Sequence, residues 1–156
     1  MLAMLRVDHR LIHGQVALSW TASLNADAIL IPDDAVVNDP IQKTTLKMAA
    51  PTGVKVVIKN LDDSVEAINS GKTDKYHLFI VAKTVQAAAE LASRCKIITE
   101  VNLGGVAQKP GSTQLTKSVY LTTEEKQYVN QMIDQGISVF TQQVPTDTKS
   151  ILTSHV

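Results

Sequence analysis

The chain has 156 residues, 44% of them hydrophobic, and its 15 basic and 15 acidic side chains cancel to no net charge. The length fits one domain with a core large enough to fold without staples, and the charge balance gives no electrostatic case for nucleic acid or a membrane surface. A single cysteine, Cys95, excludes an internal disulfide and a thiol pair for zinc and suits a reducing cytoplasm; no signal-peptide pattern opens the chain and no segment reaches the roughly 18 apolar residues of a bilayer span.

In chain order, short runs rich in Ile, Val and Leu alternate with helical stripes. Leu2–Val7 reads as a strand, and Val16, Trp20 and Leu24 repeat at helical spacing behind it. Ala28–Ile31 is the second strand. Asp39 with Pro40 marks a helix start, and Pro51 stops that helix. Val54–Ile58 is followed by the stripe Leu61, Val65 and Ile68, closed at Gly71. Leu78–Ala82 leads through Thr84 into the stripe Val85, Ala88, Ala89 and Ala92. Ile97–Val101 is read as the fifth strand. Gly104 to Leu121 breaks the rhythm as a loop or a hairpin, the latter adding an antiparallel edge strand. Thr122-x-x-Glu125 is a capping box opening a helix through Tyr128, Val129, Met132 and Ile133, ended by Gly136. Ile137–Thr141 is the last strand. Met48 and Met132 are core candidates by spacing.

This βαβα order predicts an α/β fold: one doubly wound, mostly parallel sheet with helices on both faces, over a single domain spanning residues 1–156. In such sheets ligands sit beyond the carboxyl ends of the strands. There lies the densest chemistry of the chain, Arg6-Val-Asp-His-Arg-Leu-Ile-His-Gly-Gln-Val16. His13 stands at the strand–helix junction, three residues after Arg10 and five after Asp8. An imidazole there is part neutral near neutral pH and can act as a nucleophile. Gly14 removes a side chain from the approach, and Gly14 and Gln15 open the helix whose free N–H groups face an anion.

Arg10 is the phosphate clamp, because its planar fork binds two oxygens at once. Asp8 either accepts one imidazole N–H and fixes the tautomer, or caps the loop. His9 is secondary. Trp20 is core, with an indole placed to support the loop. Lys83 and Thr84, after the fourth strand, and Gly104 and Gly105, after the fifth, form the rest of the rim. Asp33 and Asp34 are caps rather than metal ligands. No glycine-rich nucleotide loop and no metal-spaced His/Cys set is present, so neither a cofactor nor a metal is expected.

The eleven-residue stretch, with Ser19-Trp20-Thr21 after it, resembles the N-terminal signature of enzyme IIB of the mannose/fructose/sorbose class of the bacterial phosphotransferase system. Val101–Gly105, Val119–Glu124 and Gly136–Pro145 resemble later stretches of the same family. The resemblance implies that His13 accepts a phosphoryl group from phosphorylated enzyme IIA and passes it to a sugar during import, with Arg10 beside the phosphohistidine and Asp8 at the family's aspartate position. The sugar would be held by the membrane enzymes IIC and IID, which places this chain in the cytoplasm against the permease. Val144-Pro-Thr-Asp147 resembles amino-sugar members, such as those for N-acetylgalactosamine. His9 departs from the acid commonly found there. The alternatives from the residues themselves are a small-molecule enzyme using His13 as acid or base, and a phosphate-binding module that survives loss of His13.

Overall fold

A computed structural model describes all 156 residues. Nine strands and five α-helices alternate: β1 (Leu2–Asp8), α1 (Gly14–Ser23), β2 (Ala28–Pro32), α2 (Pro40–Ala49), β3 (Lys55–Lys59), α3 (Leu61–Asn69), β4 (Leu78–Ala82), α4 (Val85–Arg94), β5 (Glu100–Gly105), β6 (Thr113–Thr116), β7 (Val119–Leu121), α5 (Thr123–Asp134), β8 (Ser138–Thr141) and β9 (Ser150–Ile151). Seven strands form one sheet in the order β3-β2-β4-β1-β5-β8-β9. Every pairing in it is parallel except that of β8 with β9.

The expected doubly wound sheet is present, and the local signals explain its elements. Asp39 caps α2 by accepting from the Gln42 amide, with Pro40 at the first helical position. Thr122 and Glu125 close a reciprocal capping box on α5. β2 and β4 are buried along their whole length, as strands covered on both faces must be. One core lies under α3, α4 and α5, and a second under α1 and α2, where Trp20 packs with Ile29, Ile31, Val36 and Phe79.

Three expectations need correction. The fifth strand runs from Glu100 to Gly105 rather than from Ile97 to Val101. Ile97 is half exposed in the turn after Cys95, while Gly104 and Gly105 are buried within the strand. The 104–121 stretch does hold a hairpin, β6–β7, but it forms its own small sheet, and the antiparallel edge strand is β9. Met48 is exposed, because α2 faces the core through Leu46, and a residue two positions on points away. Met132 is fully buried as expected.

Candidate functional site

β1 ends at Asp8, in the middle of the sheet between β4 and β5, and the loop from His9 to His13 crosses to α1. The loop begins as a tight turn, with the Leu11 amide donating to the Asp8 carbonyl at 2.9 Å. Leu11 then adopts φ 58°, a left-handed conformation that a branched side chain resists. Burial holds it there: Leu11 and Ile12 sit in the core under α1 and α2, at 3% and 5% exposure. Two apolar anchors thus fix a loop whose other residues are polar.

His13 is the N-cap residue of α1, yet its side chain caps nothing. The first bond of the helix is the Ala17 amide to the His13 carbonyl, so the amides of Gly14, Gln15 and Val16 have no partner within the helix. They give the anion-attracting end of the helix dipole beside the imidazole. Gly14 has φ 45°, and a Cβ there would meet nothing within 4 Å, so the approach is open.

The imidazole Nδ1 lies 3.2 Å from the Leu11 carbonyl, and Nε2 is enclosed without a partner. A carbonyl only accepts, so the neutral ring carries its proton on Nδ1 and its lone pair on Nε2. The expected imidazole–Asp8 bond is therefore absent; Leu11 holds the tautomer instead. Of the two readings of Asp8, the loop cap is the observed one. Its carboxylate is 1% exposed, accepts from the Arg10 amide at 3.1 Å and lies 3.7 Å from Arg10 Nε. The Arg10 side chain is half exposed, tethered at its base and free at its fork.

The group the sequence reading passed over is Arg6. It is 2% exposed and donates to Asp8 Oδ2 at 3.2 Å, Asn102 Oδ1 at 2.6 Å and the Gln142 carbonyl at 3.0 Å. Its guanidinium also lies 5.2 Å from the Trp20 ring centroid. Burial lowers the Arg6 pKa from its ordinary value, and the Asp8 charge opposes that shift. Arg6 thereby ties the carboxyl ends of β1, β5 and β8 to the loop after β8. Trp20 completes the tie, with its indole N–H donating to the Gln143 carbonyl at 2.9 Å. The available signal was a charged residue in the inward alternation of an otherwise apolar strand.

The two glycines make room for this network. A Cβ on Gly104 would lie 2.0 Å from Arg6 Cζ, and one on Gly105 would lie 3.1 Å from Asp8 Oδ1. The pairing of β1 with β5 shifts register between Val7 and Asp8, which leaves Gly104 as the extra residue beneath the guanidinium. His9 donates its amide to the Gly105 carbonyl at 3.0 Å, while its ring nitrogen Nδ1 is enclosed without a partner.

Lys83 follows β4 and makes no ion pair with the loop. Thr84 accepts from the Ala87 amide as the cap of α4 and faces a cavity with Asp33, Asp34 and Glu90, between the ends of β2 and β4. The structure brings together Asp8, Arg10, His13, Gly14 and Gln15; Lys83 follows Ala82, the parallel partner of Val7, on the neighbouring strand, and Thr84 faces the adjoining cavity. Asp33 caps the turn after β2 through the amides of Ala35 and Val36, and Asp34 accepts from the Leu61 amide.

An open α/β sheet with a polar loop and an unsatisfied helix terminus at its carboxyl edge is the class that fold and site define. Within that class the chain belongs to the sorbose subfamily of IIB components of the sugar phosphotransferase system: the model described as "PTS system sorbose subfamily IIB component" matches residues 2–155. It is 34% identical to the sorbose-specific EIIB component of Lacticaseibacillus casei, over 93% of this chain and 88% of that one. It is 30% identical to the N-acetylgalactosamine-specific phosphotransferase enzyme IIB component 1 of Escherichia coli, over 92% of this chain and 91% of that one. The crystal structure of the IIB domain of the Klebsiella pneumoniae sorbose permease superposes with a TM-score of 0.90 at 31% identity, covering 96% of this chain and 91% of that one. No helix is long and apolar enough to cross a membrane.

Proposed function

We propose that His13 is the phosphoacceptor of this IIB component. It takes a phosphoryl group from phosphorylated enzyme IIA and gives it to a sugar held by the membrane enzymes IIC and IID. The observation that carries this is the uncapped His13 side chain at the terminus of α1, beside three amides without helical partners.

The chemistry balances as two displacements. An imidazole nitrogen lone pair attacks phosphorus, and the donor's bond to phosphorus breaks, its electron pair staying with enzyme IIA. A sugar hydroxyl then attacks the same phosphorus, the bond to His13 breaks with its electron pair returning to the imidazole nitrogen, and that nitrogen takes the hydroxyl proton. Because Nε2 is enclosed and Nδ1 is bonded to the Leu11 carbonyl, the ring turns about its side-chain bonds, giving up that bond, before the first displacement. The helix amides and the Arg10 fork offset the charge of the transferred group, about −1.5 to −2. Asp8 and Arg6 act one step back, by holding the Arg10 amide and the end of β1 in place.

Such a carrier works in the cytoplasm against its permease. The identities to sorbose-specific and N-acetylgalactosamine-specific relatives, 34% and 30%, are too close to select a sugar. The Val144–Asp147 turn supports an amino sugar such as N-acetylgalactosamine. Deleting the gene then abolishes uptake of that sugar; normal N-acetylgalactosamine uptake with lost sorbose or mannose uptake sinks the sugar reading alone.

The site is tested by passing labelled phosphate from phosphoenolpyruvate through enzyme I, HPr and a family IIA to the wild type and to His13→Ala. Acid-labile label on the wild type and none on the variant is the expected result. Equal labelling of both refutes His13 and moves the test to His9.

A further inference from the structure

A second feature lies away from His13, at the β3 edge of the sheet, three strands from β1 in the sheet order. It is an open cavity of about 540 Å³ on the face that carries α3, bordered by the loop Gly71–Tyr76. That volume is in the range of small-molecule sites. Its floor is apolar, built by Leu30, Val57 and Ala67. Strand alternation places Lys55 and Lys59 on the same face as Val57, and Lys72 and Lys75 enter from the loop. Four cations therefore line one cavity, and no carboxylate is among the lining residues.

Only one of the four is neutralised. Lys72 pairs with Glu66 at 3.3 Å, and Lys55, Lys59 and Lys75 have no ion pair. Lys55 donates instead to the Tyr76 hydroxyl at 3.3 Å. The Lys55 and Lys75 ammonium groups lie 5.5 Å and 5.2 Å from the Tyr76 ring centroid. The Lys55 hydrogen bond, with the Lys55 and Lys75 charges, pulls the Tyr76 phenol below its ordinary range. Like charges gathered around an apolar floor raise the energy of the free protein, and an anion relieves it.

We propose that this cavity binds a small aromatic phosphate. The flat body lies over Val57 beside the Tyr76 ring, and the phosphate meets Lys55, Lys59 and Lys75. A phosphate suits the site better than a carboxylate, because three unpaired cations match a charge near −2. The site is separate from the phosphoacceptor loop, so its test does not depend on the role of His13.

Naphthyl phosphate titrated into the full chain, followed by amide chemical shifts, tests this. We expect saturable shifts at Val57 and Gly71–Tyr76, with none from Asp8 to Gln15. Lys55→Gln/Lys75→Gln weakens binding at least about ten-fold, and Lys55→Arg/Lys75→Arg stays within about three-fold, because charge and not shape is at issue. Naphthol and inorganic phosphate, each half of the ligand, bind at least about ten-fold more weakly than the whole. Equal unfolding midpoints establish that the variants fold. Shifts confined to Asp8–Gln15, unchanged binding by the Gln variant, or inorganic phosphate binding as tightly as naphthyl phosphate each overturn the proposal.

Discussion

Replacing Arg6 with methionine removes the guanidinium while keeping an unbranched side chain of similar reach. The buried Asp8 carboxylate then keeps the Arg10 amide and the half-exposed Arg10 Nε 3.7 Å away, but loses its buried partner. Asn102 Oδ1 and the Gln142 carbonyl lose a donor each, at 2.6 Å and 3.0 Å in the wild type. Breaking a buried pair by removing one partner costs about 3–5 kcal/mol. Against a typical total of about 5–15 kcal/mol, that is a large share of the stability. For a chain of this size it corresponds to a fall in Tm on the order of 6–20 °C. The assay is equilibrium urea unfolding of the wild type, Arg6→Met, Asp8→Asn and the double variant. The double variant is expected to be less destabilised than the sum of the singles by about 1–3 kcal/mol, because it leaves no buried charge unpaired. A cost below about 1 kcal/mol for Arg6→Met, or strict additivity in the cycle, refutes the reading of Arg6 and Asp8 as one buried unit.

Three further outcomes are expected. Gly104→Ala places a Cβ 2.0 Å from Arg6 Cζ, within a buried and hydrogen-bonded group; it costs about 1–3 kcal/mol or more by thermal unfolding, and a neutral result contradicts the close approach. At Leu11, buried and at φ 58°, glycine is expected to be tolerated better than alanine by about 1 kcal/mol in urea. That reverses the usual order, although both variants lose the buried side chain. The Cys95 thiol is fully buried, and burial raises its pKa above the ordinary thiol range, against the opposing charge of Arg94. Thiol reagents then react far more slowly with the native than with the unfolded chain. The fold retains the proton that the unfolded chain loses, so this contribution to stability is present at low pH and lost as pH rises through the ordinary thiol range and beyond. Cys95→Ala removes that slope.

The sequence by itself determined the order of elements, because each depends on neighbours a few positions away. The Asp39–Pro40 start and the Thr122–Glu125 box are local hydrogen-bond and dihedral preferences, and both hold in the structure. The apolar runs of β2 and β4 announce burial on both faces wherever those strands lie. His13, Arg10 and Gly14 were legible for the same reason: a strand–helix junction places them at one terminus whatever the rest of the chain does. The tertiary structure decided what pairs across strands. Asp8 meets Arg6 and the Arg10 amide instead of an imidazole, because β1 lies against β5 and the buried guanidinium is already beside it. Gly104 and Gly105 look like loop residues in one dimension; they are strand residues because Arg6 and Asp8, about a hundred positions earlier, occupy the space of their side chains. Met48 shares the composition of a core residue, and only the orientation of α2 about Leu46 turns it outward. The four lysines of the β3-edge cavity come from one strand and a loop more than ten residues further on, so their shared field exists only in the folded chain.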